Sequence, residues 1–342
     1  MNDEGLQTIL SSFPNLSILV IGDYFLDRYL ILDPALAEIS LETGLEARQV
    51  IEIRNSPGAA GTIVSNLCAL GIGQVKTLGV IGDDGQGHDL TSALNSVGAD
   101  TTNLYVDQKR FTPTYTKPID KSSGTELERL DIKNREELPT ELEDKLIEAL
   151  RSQVPDVHGI IALDQVQERN CGVVSDRVLS ELTQLAMENS DKVFFADSRT
   201  RIGEFRSLIL KPNLQEAVLA IHPGHEGPVD RALRDECARS FSARTGCPVA
   251  ITLGSDGILC AEDDQLTHIP GISVPPPIDI VGAGDSVSAA LVSALCGGAT
   301  FTDAAHLGVL VSSITIQQLG TTGTASPTQV LNRHQTASSN LR

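Results

Sequence analysis

Within the 342 residues, the run Asp279-Ile280-Val281-Gly282-Ala283-Gly284-Asp285-Ser286 is the best placed to do chemistry. It follows an extended proline-rich stretch, Val274-Pro275-Pro276-Pro277, and opens an apolar segment from Val287 to Leu295. A small-residue turn feeding a helix start aims unpaired backbone N–H groups and the positive end of the helix dipole at one point. Gly282 and Gly284 carry no Cβ, so an anion can approach that backbone closely. Asp285 then stands at the rim of an anion site, where a phosphate would repel an idle carboxylate. The placement makes sense if Asp285 takes the proton of a nucleophile attacking that phosphate. Read alone, the same residues could also be a simple Asp cap after a glycine turn.

Other candidate groups fall where elements end. Ser17 to Ile21 reads as a buried strand that delivers Gly22, Asp23 and Asp27 to its carboxyl edge, where doubly wound sheets bind ligands. A carboxylate at 27 can accept two hydrogen bonds from a vicinal diol. Asp23 suits a ligand group or a strand-end cap equally well. Asp164 and Asp197 end two further strands as edge carboxylates. Asn213 and Glu216, after Lys211-Pro212, share one face of a helical turn. A carboxylate and an amide oxygen can hold hydrated Mg²⁺ beside phosphates, and the same pair suits a capping box. Ser56 to Thr62 is a glycine-containing turn into a helix that either hydroxyl could cap. Thr252 to Gly257 forms a tight turn between two strands, which is also a β-hairpin pattern. Lys117 and Arg129 lie on short polar strands. They are candidates to anchor an existing phosphate, with Arg48 a third, or else are solvated strand cations.

Asp-x-Val-Gly-Ala-Gly-Asp-Ser resembles the C-terminal signature of the ribokinase-like (PfkB) family of sugar kinases. The resemblance implies that Asp285 is the catalytic base and that the amides of Gly282, Ala283 and Gly284 form an anion hole. Gly22 to Tyr29 resembles the opening of the subgroup that phosphorylates heptose 7-phosphate, which makes Asp27 the acceptor of sugar hydroxyl hydrogen bonds. The segment 56–62 resembles the family's N-terminal glycine-rich signature, with Gly58 allowing the sugar close and Thr62 standing where an Asn contacts it. Thr112 to Lys117, Glu128 to Asp131 and Leu319 to Pro327 also fit the heptose-kinase pattern; the last borders the adenine and monovalent-cation sites in that family. Lys211-Pro212-Asn213-Leu214-Gln215-Glu216 matches the family's Asn-x-x-Glu motif, which implies Mg²⁺ held through water by Asn213 and Glu216. Thr252, Gly254 and Gly257 match its nucleotide loop and would lie against ATP.

The elements that must position these groups alternate in βα units. Strands are expected near 17–21, 74–81, 159–163, 192–196 and 249–253, and helices near 59–71, 86–97, 140–152, 173–188, 229–244, 284–297 and 302–318. The resemblance covers residues 15–330. It implies an α/β, ribokinase-like, doubly wound and mainly parallel sheet flanked by helices, with a small β lid. One such domain is expected over residues 1–335, with lid strands from about 28–55 and 110–132 and a frayed tail over 336–342.

Composition narrows the function further. A hydrophobic content of 41% with 21% charged residues is that of a globular protein. A net charge of −19 argues against nucleic acid as a partner. The acidic start Met1-Asn2-Asp3-Glu4 is no secretory leader, and no apolar run reaches membrane-spanning length. Six dispersed cysteines without a Cys-x-x-Cys pair suggest buried free thiols in a reducing cytoplasm. His222-Pro223-Gly224-His225-Glu226 reads as a loop near the surface rather than a metal site. The absence of Gly-x-x-x-x-Gly-Lys-Ser/Thr excludes a P-loop kinase. Gly82 to Gly87 has the wrong spacing for a dinucleotide fingerprint.

The expectation is an ATP- and Mg²⁺-dependent sugar kinase, first a heptose 7-phosphate kinase acting at the anomeric hydroxyl. A kinase for ribose, fructose or a nucleoside stays open, as does a catalytically weak sugar- or nucleotide-binding protein. A monovalent cation such as K⁺ and a homodimer joined through the lid strands are implied by the resemblance. No nucleotidyltransferase segment follows, so any later nucleotide activation is expected from another protein.

Overall fold

The computed structural model describes residues 1–339, which build two β layers from interleaved parts of the chain. After helix α1 (Asp3–Ser12), β1 (Ser17–Gly22) runs through the core and continues past Asp23 into β2 (Tyr24–Leu32) of a second sheet. A short hairpin, β3 (Glu38–Ile39) and β4 (Glu46–Ala47), leads to β5 (Val50–Ala59) and α2 (Ala60–Ala69). The chain returns to the main sheet with β6 (Gln74–Gly82), α3 (Gly85–Ser96) and β7 (Asp100–Asp107). It then completes the second sheet with β8 (Thr114–Asp120) and β9 (Leu130–Ile132). There follow α4 (Thr140–Gln153), β10 (Gly159–Asp164), α5 (Asp176–Glu188), β11 (Val193–Ser198), β12 (Ile209–Leu210) and α6 (Leu214–Ile221). The last elements are α7 (Arg231–Thr245), β13 (Val249–Thr252), β14 (Ile258–Glu262), β15 (Gln265–Ile269), α8 (Ala283–Cys296), α9 (Phe301–Thr315) and α10 (Pro327–Ser339).

Among the described residues the main sheet has nine strands in the order β15-β14-β13-β12-β11-β10-β1-β6-β7. It is parallel from β7 through β13, and β14 and β15 fold back antiparallel. Every residue of β1 and β10 is buried. Strands covered by helices on both faces need apolar side chains on both, so they read as continuous apolar runs rather than alternating ones. Ile18 and Val20 pack with residues of α2, α8 and α9 on one face. Leu19 and Ile21 pack with residues of α4, α5 and α7 on the other. At roughly 1.5–3 kcal/mol for each fully buried Leu or Ile, these two cores hold the carboxyl edge of the sheet in place.

The second sheet, in the order β5-β2-β8-β9, is the expected lid. β2 pairs antiparallel with β5 and parallel with β8. Ile53 on β5 and Ile39, Leu41 and Leu45 of the separate β3–β4 hairpin are exposed apolar residues. Lid pairing reaches from Tyr24 to Ala59, somewhat beyond the expected span. The tail requires a correction, because α10 runs on through Ser339 and Thr336 donates its hydroxyl to the Asn332 carbonyl at 2.8 Å. Residues 336–339 are therefore helical, and the end of that expected tail, 340–342, lies outside the described residues.

Candidate active site

A cavity of about 800 Å³ opens between the lid and the carboxyl edge of the main sheet. It brings together Asp27, Thr62, Lys117, Arg129, Asn213, Glu216, Thr252, Gly282, Gly284 and Asp285, residues that span most of the chain.

The floor is the start of α8. Asp279 fixes the turn before it, accepting hydrogen bonds from Val281 N–H at 3.0 Å and Gly320 N–H at 3.2 Å. Gly282 caps the helix in the left-handed region (φ 77°, ψ 2°). A Cβ there would also lie 3.2 Å from Thr62 and 3.3 Å from Thr322, so both conformation and space call for glycine. The amide expectation needs one correction. Ala283 N–H donates to the Ile280 carbonyl at 3.1 Å, and Ala283 is absent from the cavity lining. The amides of Gly282, Gly284 and Asp285 have no partner among the described residues. A turn of this kind still offers an anion three N–H groups at a helix start.

Asp285 sits in the first turn of α8 and makes no side-chain hydrogen bond among the described residues. Burial, and then the neighbouring Asp197, push its carboxyl up to about 7, with Lys211 offsetting part of the effect. That value suits a base working near neutral pH. Lys211 is buried, with Nζ 2.7 Å from Asp197 Oδ2. Burial opposes its charge, but Asp197, Glu216 and Asp285 outweigh it and hold the ammonium above its usual range. Its Nζ lies 3.5 Å from where a Cβ on Gly284 would stand, so the ammonium faces the same turn as the free amides.

Of the two readings given to Asn213 and Glu216, the capping box is the one observed. Asn213 Oδ1 accepts from Glu216 N–H at 2.8 Å and Glu216 Oε2 accepts from Asn213 N–H at 2.7 Å, a reciprocal cap on α6. Both side chains also line the cavity, and burial raises the Glu216 carboxyl with a contribution from Asp197. Three crowded carboxylates, Asp197, Glu216 and Asp285, face one lysine here, which favours a cation. Among the described residues no three His, Cys, Asp or Glu side chains converge as direct metal ligands. Mg²⁺ keeps several waters and takes one or two carboxylates plus substrate phosphates.

On the lid side, Asp27 projects from β2 and is buried, 3.7 Å from Lys117 Nζ on β8. Burial raises its carboxyl, and Lys117 and Arg129 offset this. Lys117 also lies 5.0 Å from the Tyr29 ring centre. The role of Gly58 differs from expectation: a Cβ on it would come 2.7 Å from Asp27 Oδ2. Its space belongs to the Asp27 carboxylate rather than to a ligand. Thr62 lines the wall, yet its hydroxyl donates to the Pro57 carbonyl at 3.1 Å and is buried. It presents its methyl to Gly282 and not a free donor to a sugar. Ala59 beside it holds φ 52°, ψ −119°, a region that favours glycine and costs about 1–3 kcal/mol for other residues. Arg129 stacks 4.6 Å from the Tyr115 ring centre and forms a two-point bridge to Asp131 at 2.7 and 2.9 Å.

The turn after β13 is split. Thr252 lines the cavity and its N–H donates to the Pro212 carbonyl at 3.0 Å. Gly254 and Gly257 are not among the lining residues. A Cβ on Gly257 would come 2.1 Å from the Ile269 carbonyl oxygen, so hairpin packing accounts for that glycine. The candidates left open resolve into scaffold. Asp23 accepts N–H groups from Gln165, Val166 and Val173 at 2.7–2.9 Å, clamping the loop 165–173 beside the cavity. Asp164 is buried against Arg201 at 2.8 Å, its carboxyl pushed up to about 6 mainly by burial. Arg28 pairs with Asp89 at 2.5 Å and Arg48 with Glu46 at 3.8 Å, and neither lines the cavity. Residues 222–226 lie beyond the end of α6 and outside any helix, as expected. Sequence reasoning gave no role to Lys133, Arg199 or Lys211, all of which line the cavity. Arg199 and Lys211 directly follow or precede motif residues at the sheet edge, a signal that could have found them.

A buried carboxylate over a helix start with free amides, under a β lid on a doubly wound sheet, suits a phosphotransferase that acts on an alcohol. The chain belongs to the pfkB family of carbohydrate kinases, whose profile, described as "pfkB family carbohydrate kinase", matches residues 28–329. It is 28% identical over 334 residues to the bifunctional protein HldE of Trichlorobacter lovleyi, covering 97% of this chain and 65% of that protein. With HldE of Aliarcobacter butzleri it is 29% identical over 322 residues, covering 92% and 63%. The chain thus spans about 65% of the length of the curated relatives it matches. Among solved structures, a ribokinase from Cryptococcus neoformans in complex with ADP superposes with a TM-score of 0.68 at 20% identity, covering 93% of this chain and 99% of that one. Phosphofructokinase-2 from Escherichia coli in complex with potassium gives 0.68 at 19%, covering 94% and 99%. These likenesses support the ribokinase-like fold.

Proposed function

We propose that this carbohydrate kinase transfers the γ-phosphate of ATP to the anomeric hydroxyl of a heptose 7-phosphate. The observation that carries the reading is Asp285, held near neutrality in one cavity with Asp27 on the lid and Asn213 and Glu216 at the sheet edge. Asp27 holds the acceptor through its hydroxyls, and Asp285 takes the proton of the attacking one. The oxygen attacks the γ-phosphorus in line, and the amides of Gly282, Gly284 and Asp285 face the charge that develops. Bound Mg²⁺, near Asn213 and Glu216, would neutralise charge on the nucleotide's phosphates. Thr252 lies on the nucleotide side, and a K⁺ site bordering residues 319–326 belongs to the same proposal. The match to HldE proteins over nearly the whole chain supports the choice of a heptose.

A second acceptor class is favoured by one observation. The Thr62 hydroxyl is spent on Pro57 and Ala59 adds a methyl to the wall, so a different sugar or a nucleoside is the alternative. The test is ADP release with Mg-ATP and K⁺ over a panel of free sugars, nucleosides and sugar phosphates. The expected result is highest kcat/KM for heptose 7-phosphate, and a fall of at least about 10³-fold in Asp285→Asn with ATP binding retained. Full turnover in Asp285→Asn would sink the mechanism, and preference for another acceptor would replace the heptose.

A further inference from the structure

Five basic side chains line the cavity, Lys117, Arg129, Lys133, Arg199 and Lys211, against as many acidic ones. Local balance of this kind is unexpected in a chain with 26 basic and 45 acidic residues. Three of the five cations are occupied within the protein: Lys117 by Asp27, Arg129 by Asp131 and Lys211 by Asp197. Lys133 and Arg199 have no ion pair and no side-chain hydrogen bond among the described residues. They come from opposite layers. Lys133 follows lid strand β9, and Arg199 follows β11 at the edge of the main sheet. Lys133 is half-buried, and a partly desolvated cation without a partner is unfavourable unless an anion completes it.

In the reading above the free amides at α8 serve the transferring phosphoryl group, which leaves a second anion to be bound elsewhere in the cavity. We infer that Lys133 and Arg199 form the subsite for a phosphate already carried by the acceptor, one cation from the lid and one from the sheet. This replaces Lys117 and Arg129 as the phosphate anchors, and it rests on the sugar-phosphate reading above. A guanidinium and an ammonium converging on a phosphate make charge-assisted hydrogen bonds of the stronger class. Because the two cations lie on separate layers, the substrate's own phosphate would draw the lid toward the sheet.

The experiment measures KM for heptose 7-phosphate, for free heptose (as substrate or competitive inhibitor) and for ATP in Lys133→Ala, Arg199→Ala and Arg199→Lys. The subsite predicts a KM for the phosphorylated acceptor raised about 10- to 100-fold by either alanine. Free heptose and ATP should change less than about twofold, and Arg199→Lys should recover part of the loss. Equal effects on both acceptors, or an effect confined to ATP, would overturn the assignment. So would normal KM values in both alanine variants of an enzyme that does use heptose 7-phosphate, and this result would leave the substrate reading intact. If the native protein uses free sugars and no sugar phosphate, the substrate reading falls and the subsite falls with it.

Discussion

At the scale of the residue, Asp285 has the sharpest consequences. With its carboxyl at about 7 in the free protein, the basic form predominates only above that pH. The acid limb of kcat/KM should therefore bend near pH 7 and fall tenfold per unit below it. A limb centred near 4 would show that the carboxyl is not raised. The sign for stability is opposite. From about pH 4 upward the unfolded chain ionises this Asp first, so the folded protein loses stability as pH rises to 7. Asp285→Asn should then unfold at higher denaturant than the native protein above pH 7, by about 1–3 kcal/mol, and equally below pH 4. The place of Asp285 in the first turn of a helix was legible from the glycine turn before it, while its reading as a base rather than a cap came from the family signature around it. The fates of Ala283 N–H and the Thr62 hydroxyl were not legible. Each is decided by one carbonyl, on Ile280 and Pro57, whose direction depends on turn geometry that residue types leave open.

Among elements, the lid strands carry Asp27, the proposed acceptor-side carboxylate. Gly58 on β5 stands opposite Phe25, leaving room for Asp27 two residues along β2. Gly58→Ala would place a methyl where the Asp27 carboxylate now lies. We expect the acceptor KM to rise at least about tenfold while the Kd for ATP, measured calorimetrically, stays the same. An unchanged acceptor KM would remove Asp27 from sugar binding. The interior strands were legible because β1 and β10 are apolar throughout. β7 was missed because it is an edge strand, Asp100-Thr101-Thr102-Asn103-Leu104-Tyr105-Val106-Asp107, with little apolar content to bury. α10 was missed because Val330 and Leu331 supply almost all its apolar contact, too little to show a helical period.

For the whole molecule, we propose that the exposed apolar residues of the β3–β4 hairpin and of β5 form an interface between two copies. Ile39 and Ile53 are 64% and 60% exposed, and clusters of this kind mark interaction surfaces. A second copy pairing lid to lid would bury them by two-fold symmetry. Sedimentation at micromolar concentration should give about twice the 36.4 kDa chain mass, and Ile53→Asp should halve it. A native monomer under these conditions would refute the pairing.

The charge balance inside the cavity has a meaning for traffic as well as for binding. Seen from beyond a Debye length, about 10 Å at 0.1 M salt, the molecule is a body of net charge −19 that turns polyphosphates away. Only at the mouth does an incoming anion meet cations in equal number. Dissolved salt then acts in two directions, easing encounter by masking the distant repulsion while shortening residence by weakening the contacts within. A kinase built this way would owe its hold on anionic substrates to the last few ångströms of their approach, against the repulsion of its net charge.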